Sequence, residues 1–207
     1  MDLNHDDDSV QRRERRDELR VQLQESRLHL NNEVQAHAAD AVVGPMLDVI
    51  TECGGGRERR VVAGYVAING EINPEPALNQ LRGMGWTVVL PVCGPDLSME
   101  FCPLLPGDAT NKNQFGIDEP MSEPVDLATI DVVIVPGVGF GRDGSRIGHG
   151  VGYYDRFFAR CSSVQHDPLR VGLAHDLQVV GLPPAESWDV AMHTLVTPSE
   201  VFRIRHP

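Results

Sequence analysis

Four consecutive apolar residues, Val132-Val133-Ile134-Val135, lead almost directly into Pro136–Arg160, PGVGFGRDGSRIGHGVGYYDRFFAR. This succession constrains the fold more than any other part of the chain. A short run with no polar face reads as a strand buried on both sides, the habit of parallel sheets covered by helices. The stretch that follows holds glycines at alternate positions 148, 150 and 152, and a Tyr-Tyr-Asp-Arg segment of helical character closes it. Strand, glycine loop and helix in that order let backbone N–H groups approach an anion without Cβ obstruction. The helix adds the positive end of its dipole. Arg146 can supply full charge, and Asp155 can hold a hard cation such as Mg2+. The parts suit a nucleoside triphosphate. A flexible surface turn would use the same glycines, so spacing alone leaves both readings open. The run is neither G-x-G-x-x-G, since its last gap is one residue short, nor a Walker A loop, since no Gly-Lys-Ser/Thr follows.

The rest of the chain alternates in the same way. Residues 1–8 are polar and acidic, and a tail without fixed structure is expected there, followed by one domain over 9–207. From Ser9 the recurrence of Leu19, Leu23 and Leu30 predicts a helix. Asn31-Asn32 breaks it and can cap a second helix that runs to about Ile50. Residues 52–60 read as a loop. Strands are expected at 61–68, 87–92, 99–105, 130–135, 170–174 and 194–197, and helices from Pro74 to about Gly83 and over 153–161. Residues 107–126, rich in Pro, Asn and Asp, read as a long functional loop. Strands alternating with helices imply an α/β sheet with its ligand at the strand carboxyl ends.

Composition narrows the partners. A net charge of −12 over 207 residues argues against broad nucleic-acid binding. No apolar run approaches membrane-spanning length and no secretory pattern is visible, so a cytoplasmic protein is expected, as a monomer or small homo-oligomer. Cys53, Cys93, Cys102 and Cys161 are scattered, which speaks against a zinc site or disulfide framework. Lys112 is the single lysine, so phosphate contacts must fall to arginines.

Several segments, read together, resemble the 5-formyltetrahydrofolate cyclo-ligase (5,10-methenyltetrahydrofolate synthetase) family. The run PGVGFGRDGSRIGHGVGYYDRF is similar to that family's signature, roughly P-G-x-x-F-D-x-x-G-x-R-L-G-x-G-x-G-Y-Y-D-R. Residues 65–74 (YVAINGEINP) resemble its E-I-x-T segment, and 86–92 (WTVVLPV) its central strand. Met99-Glu100-Phe101 and 115–120 (FGIDEP) match its M-x-F and F-G-I-x-E-P elements. Val171–Ala174 and Pro183–Asp189 match its closing strand and late aspartate. The likeness extends from about Arg16 to Pro198. It implies a three-layer α/β sandwich with a mostly parallel central sheet, related to sugar-phosphate isomerases and CoA transferases. It implies ATP- and Mg2+-dependent conversion of 5-formyltetrahydrofolate to 5,10-methenyltetrahydrofolate, with release of ADP and phosphate.

The resemblance also assigns roles. Arg16 and Arg20, in an R-x-x-L-R that is similar to the family's K-x-x-L-R, and Arg146 would meet the ATP phosphates. Gly148, His149, Gly150, Val151, Gly152 and Tyr153 would form the ATP loop. Asp155 and Asp189 would hold Mg2+, with Glu186 a weaker candidate. Glu71 would orient the pterin through its ring N–H donors. Met99, Phe101 and Trp86 could wall a slot for a flat heterocycle. Tyr153 and His149 would also touch substrate, and Arg146 and Tyr153 would serve the chemistry, while Tyr154 is read as core. A basic run such as Arg12–Arg20 is in most proteins a solvated helix face, so the phosphate role of this segment comes from the resemblance. Two positions depart from the pattern: Gly141 stands where F-D is usual, and Val151 where bacterial relatives carry a small or basic residue. Both bear on substrate affinity and loop conformation, because a β-branched residue is stiff and resists positive φ. The alternatives are a sugar-phosphate isomerase or CoA-transferase-like enzyme on the related fold, and a non-catalytic folate- or nucleotide-binding relative.

Overall fold

The computed structural model describes residues 3–53, 60–105, 107–113 and 116–204. Most of the loop expected over 52–60, and Phe115 of the F-G-I-x-E-P element, lie outside the described residues. Five strands run parallel: β1 (Val61–Ala63), β2 (Thr87–Cys93), β6 (Val132–Val135), β9 (Leu169–Leu173) and β10 (Thr194–Val196). Antiparallel strands β3 (Met99–Pro103) and β11 (Val201–Arg203) close the two edges, giving the order β11-β10-β9-β6-β1-β2-β3. The expected α/β class with a mostly parallel sheet is therefore the fold observed.

Alternation along the strands sorts side chains to two faces. Val62, Val88, Val132, Ile134 and Val171 point into a core shared with Ala38, Met46, Ile50, Leu78 and Leu81. Those partners come from α2 (Asn32–Ala41), α3 (Val43–Cys53) and α4 (Glu75–Gly83). Ala63, Val133, Val135 and Leu195 face the other core, filled by Phe101, Phe157, Phe158 and Cys161. Phe157 and Phe158 come from α5 (Tyr153–Ser163), and Phe157 stands edge-on to both Phe158 and Phe101. Both cores are fully buried, and each such aliphatic side chain contributes roughly 1.5–3 kcal/mol relative to exposure. The result is helices, sheet and helix in three layers.

Helix α1 (Leu3–Leu28) belongs to neither core. Its Leu19 and Leu23 pack on Val138 and Ile147 beside the glycine run, so it lies against the loops that leave the sheet. Its described span begins at Leu3. The helix expected from Asn32 to Ile50 is two helices broken at Val42, because Pro45 offers no N–H to the carbonyl of Ala41. The long loop over 107–126 contains a hairpin, β4 (Thr110–Lys112) with β5 (Asp118–Pro120). A second hairpin, β7 (Gly139–Phe140) with β8 (Arg146–Ile147), stands inside the glycine run.

Candidate active site

The parallel strands release their loops on one side, and a cleft of about 1310 Å³ opens there. Its walls come from α1, the segment after β1, the end of β2, the β4–β5 hairpin, the glycine loop, α5 and residues 186–190. Sequence-distant groups meet in it.

One wall is cationic. Arg13, Arg16 and Arg20 lie one turn apart along α1 and all line the cleft. Arg20 Nε donates to the carbonyl of Gly148 at 2.9 Å, which clamps α1 onto the glycine loop; the same side chain pairs with Asp17. Arg146, on β8, projects beneath the loop with 7% side-chain exposure. Gly150 and Gly152 take φ of +95° and +79°, and Gly152 caps α5. The glycines thus absorb the left-handed geometry on either side of Val151, which does not have positive φ. The β-branched residue is accommodated, exposed on the loop.

The two carboxylates expected at a metal come together as well. Asp155, in the first turn of α5, accepts the backbone N–H of Val190 at 3.4 Å, which brings it beside Asp189. Each is held by an arginine: Arg146 Nη2 lies 3.1 Å from Asp155 Oδ2, and Arg16 Nη1 lies 2.7 Å from Asp189 Oδ2. Asp189 also accepts the backbone N–H of Glu186 at 2.9 Å. Among the described residues no group of three or more His, Cys, Asp or Glu is placed to hold a metal ion. Two converging carboxylates fit the habit of Mg2+, which takes one or two carboxylates and completes its shell with phosphate and water. They would not fit a metal that needs a full protein cage.

Glu71 sits deeper, 4% exposed in its side chain, and is fully engaged. Oε1 meets His149 Nε2 at 3.0 Å, and Oε2 accepts the backbone N–H of Ile68 at 3.1 Å. His149 Nδ1 is 3.2 Å from Gln24 Nε2. A ring carrying its hydrogen on Nε2 satisfies both contacts. His149 thus ties the glycine loop to Glu71 and to α1. Behind Glu71 lies Arg27, buried completely, its Nη1 3.8 Å from Oε1. Arg27 also donates to the carbonyls of Asn69 and Gly137. It was not singled out in the sequence, although it repeats the Arg20 face of α1 two turns on.

The apolar wall differs from expectation in two places. Met99, Pro91 and Ile117 line the cleft, but Phe101 does not: it is buried against Phe157, because the inner face of β3 packs on α5 before it reaches the opening. Trp86 lies in the other core, under Arg60, because it precedes β2 at the far end of the sheet. Tyr154, read as core, has a buried hydroxyl without a hydrogen-bond partner among the described residues, yet its ring lines the cleft below Arg146. Burial drives that hydroxyl's pKa far up, and Glu71 adds to it. Lys112 pairs with Asp118 on the exposed hairpin and is not a lining residue. Trp188, Arg156 and Glu119 line the cleft without having been expected there. Adjacency to Asp189, to Asp155 and to the F-G-I-x-E-P element were the available signals.

Residues 12–198 match the 5-formyltetrahydrofolate cyclo-ligase family. The 5-formyltetrahydrofolate cyclo-ligase of Escherichia coli K12 is 36% identical over 146 residues, 68% of this chain and 79% of the relative. That of Haemophilus influenzae is 30% identical over 188 residues, 88% and 97% of the two chains. The NMR structure of Aquifex aeolicus 5,10-methenyltetrahydrofolate synthetase superposes with a TM-score of 0.78 at 28% identity, covering 93% of this chain and 94% of that one. A 5,10-methenyltetrahydrofolate synthetase from Mycoplasma pneumoniae, at 21% identity and a TM-score of 0.72, shares the fold.

Proposed function

The chain belongs to the 5-formyltetrahydrofolate cyclo-ligase family, and from that premise we propose how its cleft converts 5-formyltetrahydrofolate and ATP to 5,10-methenyltetrahydrofolate, ADP and phosphate. The observation that carries the reading is one cleft in which an arginine-flanked glycine loop, two converging carboxylates and an apolar wall meet. An isomerase or transferase on a related fold is not favoured, since the ordered matches span residues 12–198.

The formyl oxygen attacks the γ-phosphorus of ATP, and the bond to the β–γ bridging oxygen breaks, releasing ADP. N10 then adds to the formyl carbon of the N5-iminium phosphate and loses its proton. Departure of phosphate with the C–O electron pair leaves the methenyl bridge. Phosphoryl transfer asks chiefly for positioning and charge neutralisation. Arg16, Arg20 and Arg146 supply the charge, and the N–H groups of Gly148–Tyr153 cradle the phosphates. Tyr153 stands at the junction of loop and α5, within reach of both ligands. Glu71, locked by His149 and Arg27, orients the substrate's N–H groups, and Met99 packs against its ring. Asp155 and Asp189 would hold Mg2+, which when bound neutralises phosphate charge. The family's chemistry fits a cytoplasmic setting, and the three described cysteines are free thiols.

The test is absorbance of the methenyl product with purified protein, 5-formyltetrahydrofolate, ATP and Mg2+. ATP-dependent product that vanishes in Asp155→Ala supports the reading. Well-folded wild type that binds ATP and forms no product refutes it.

A further inference from the structure

The F-G-I-x-E-P element has no task in the scheme above, although its glutamate lines the cleft. Glu119 stands on β5 with 9% exposure. Its Oε1 accepts the backbone N–H of Cys93 at 3.1 Å and Nδ2 of Asn113 at 2.8 Å. Those two bonds occupy both lone pairs of that oxygen. They pin the β4–β5 hairpin to the end of β2 and fix the carboxylate in place. Oε2 receives no hydrogen bond from the described residues. Glu119 lines the cleft, so this oxygen is the one left to accept from a ligand there.

Its surroundings say what that ligand could be. Pro91, Met99 and Ile117 supply the neighbouring apolar lining of the cleft. The carboxylate's charge reaches the Cys93 thiol, pushed up to about 11 chiefly by burial and then by Glu119. It also helps raise the Tyr153 hydroxyl, after burial and Cys93. A flat, largely apolar ligand with an N–H edge matches such a site. The other buried carboxylate is not open in this way, since both oxygens of Glu71 have protein partners.

We propose that Glu119 is a specificity-determining residue, its Oε2 accepting the exocyclic 2-amino group of the pterin. The assignment rests on the folate reading above. A pyrimidinone edge carrying N3–H and a 2-amino group offers donors only a carboxylate can accept with charge assistance. Glu71 keeps its place in the scheme above, orienting the substrate's other N–H groups through the lone pairs that His149 and Ile68 leave open, and Glu119 reads the 2-amino edge of the ring.

The test is calorimetric titration of wild type and Glu119→Gln with 5-formyltetrahydrofolate and with its 2-desamino analogue. Glutamine keeps an oxygen for Cys93 and Asn113 and presents an NH2 where Oε2 stood. Wild type should bind the analogue about 10- to 100-fold more weakly than the parent, as expected for one charge-assisted bond. Glu119→Gln should lose a similar factor for the parent, show no preference between the two ligands, and bind ATP with Mg2+ as wild type does. The ratio of affinities is taken within each protein, so a smaller folded fraction cancels. A preference for the amino group that persists in Glu119→Gln overturns the assignment to Glu119 alone. Wild type that binds neither folate overturns the folate reading itself.

Discussion

Arg27 and His175 show how much of this site rests on single buried side chains. Arg27 is held by two carbonyls and by Glu71, and its Nη2 has no hydrogen-bond partner among the described residues. Burial lowers its pKa and Glu71 opposes the shift. Replacing it by methionine leaves Glu71 as a buried charge without its cation. Arg27→Met should therefore lose about 3–5 kcal/mol of stability in urea titration, the usual cost of breaking a buried pair. Folate affinity should fall further than ATP affinity. His175 tests the same region through pH. Its Nε2 lies 3.0 Å from the Gly70 carbonyl, and its pKa falls below 6.5, through burial first and Arg27 next, against the pull of Gly70 and Asp176. The unfolded chain therefore binds a proton before the folded one does. Stability should fall as pH drops below about 6.5, until the lowered folded pKa is passed. His175→Gln should flatten that part of the pH profile of unfolding.

At the scale of elements, the glycine run is a hairpin joined to a helix cap, and its glycines are not interchangeable. Gly152 caps α5 at φ +79°, and a Cβ there would stand 3.0 Å from Arg156 Nη1. Gly152→Ala should cost about 1–2 kcal/mol for the left-handed backbone alone. It should weaken ATP binding more than folate binding, as read by titration of each ligand. Gly141 sits in a turn filled by the side-chain tips of its neighbours. A Cβ at 141 would push aside the tips of Asp143 and Ser145, whose side chains bond to each other at 2.6 Å inside the β7–β8 hairpin, at the cost of that bond. Gly141→Asp should thus lower the melting temperature rather than restore anything. The β4–β5 hairpin was invisible in the sequence because Thr110–Lys112 is exposed throughout and carries no apolar alternation. Its role comes from contact with β2, not from a pattern of its own.

Across the whole molecule, the cleft balances its own charge before any ligand arrives. Arg16 and Asp189 are far apart in sequence, as are Arg27 and Glu71, yet both pairs close in the cleft region. Arg16 and Arg146, two of the three arginines proposed for phosphate, are held by Asp189 and Asp155, the carboxylates proposed for metal. Nucleotide and metal should therefore enter together, each releasing the partner the other needs. In thermal melts Mg2+ alone should produce almost no shift and ATP in chelator a small one. The pair should exceed the sum, and Asp189→Asn should abolish the excess. A saturating ligand at about 100 times its Kd adds roughly 2.7 kcal/mol, which such melts resolve easily. No helix among the described residues is long and apolar enough to cross a membrane.

The sequence by itself determined the alternation of strand and helix, because buried strands must be apolar on both faces and glycines must sit where the backbone turns left-handed. It also determined the cleft's outline, since Arg16, Arg20, Arg146, Asp155 and Asp189 stand in an order that the family signature makes legible. Only the tertiary structure decided which aromatic rings are wall and which are core. Phe101 and Trp86 are equally apolar in sequence, and their side of the sheet depends on where α5 and the preceding helices pack. Only the fold could join Gln24, His149, Glu71 and Arg27 into one connected set, because their contacts cross up to 125 residues of chain. Glu119 became a candidate for the same reason: its environment is made by β2 and a hairpin that local sequence does not encode.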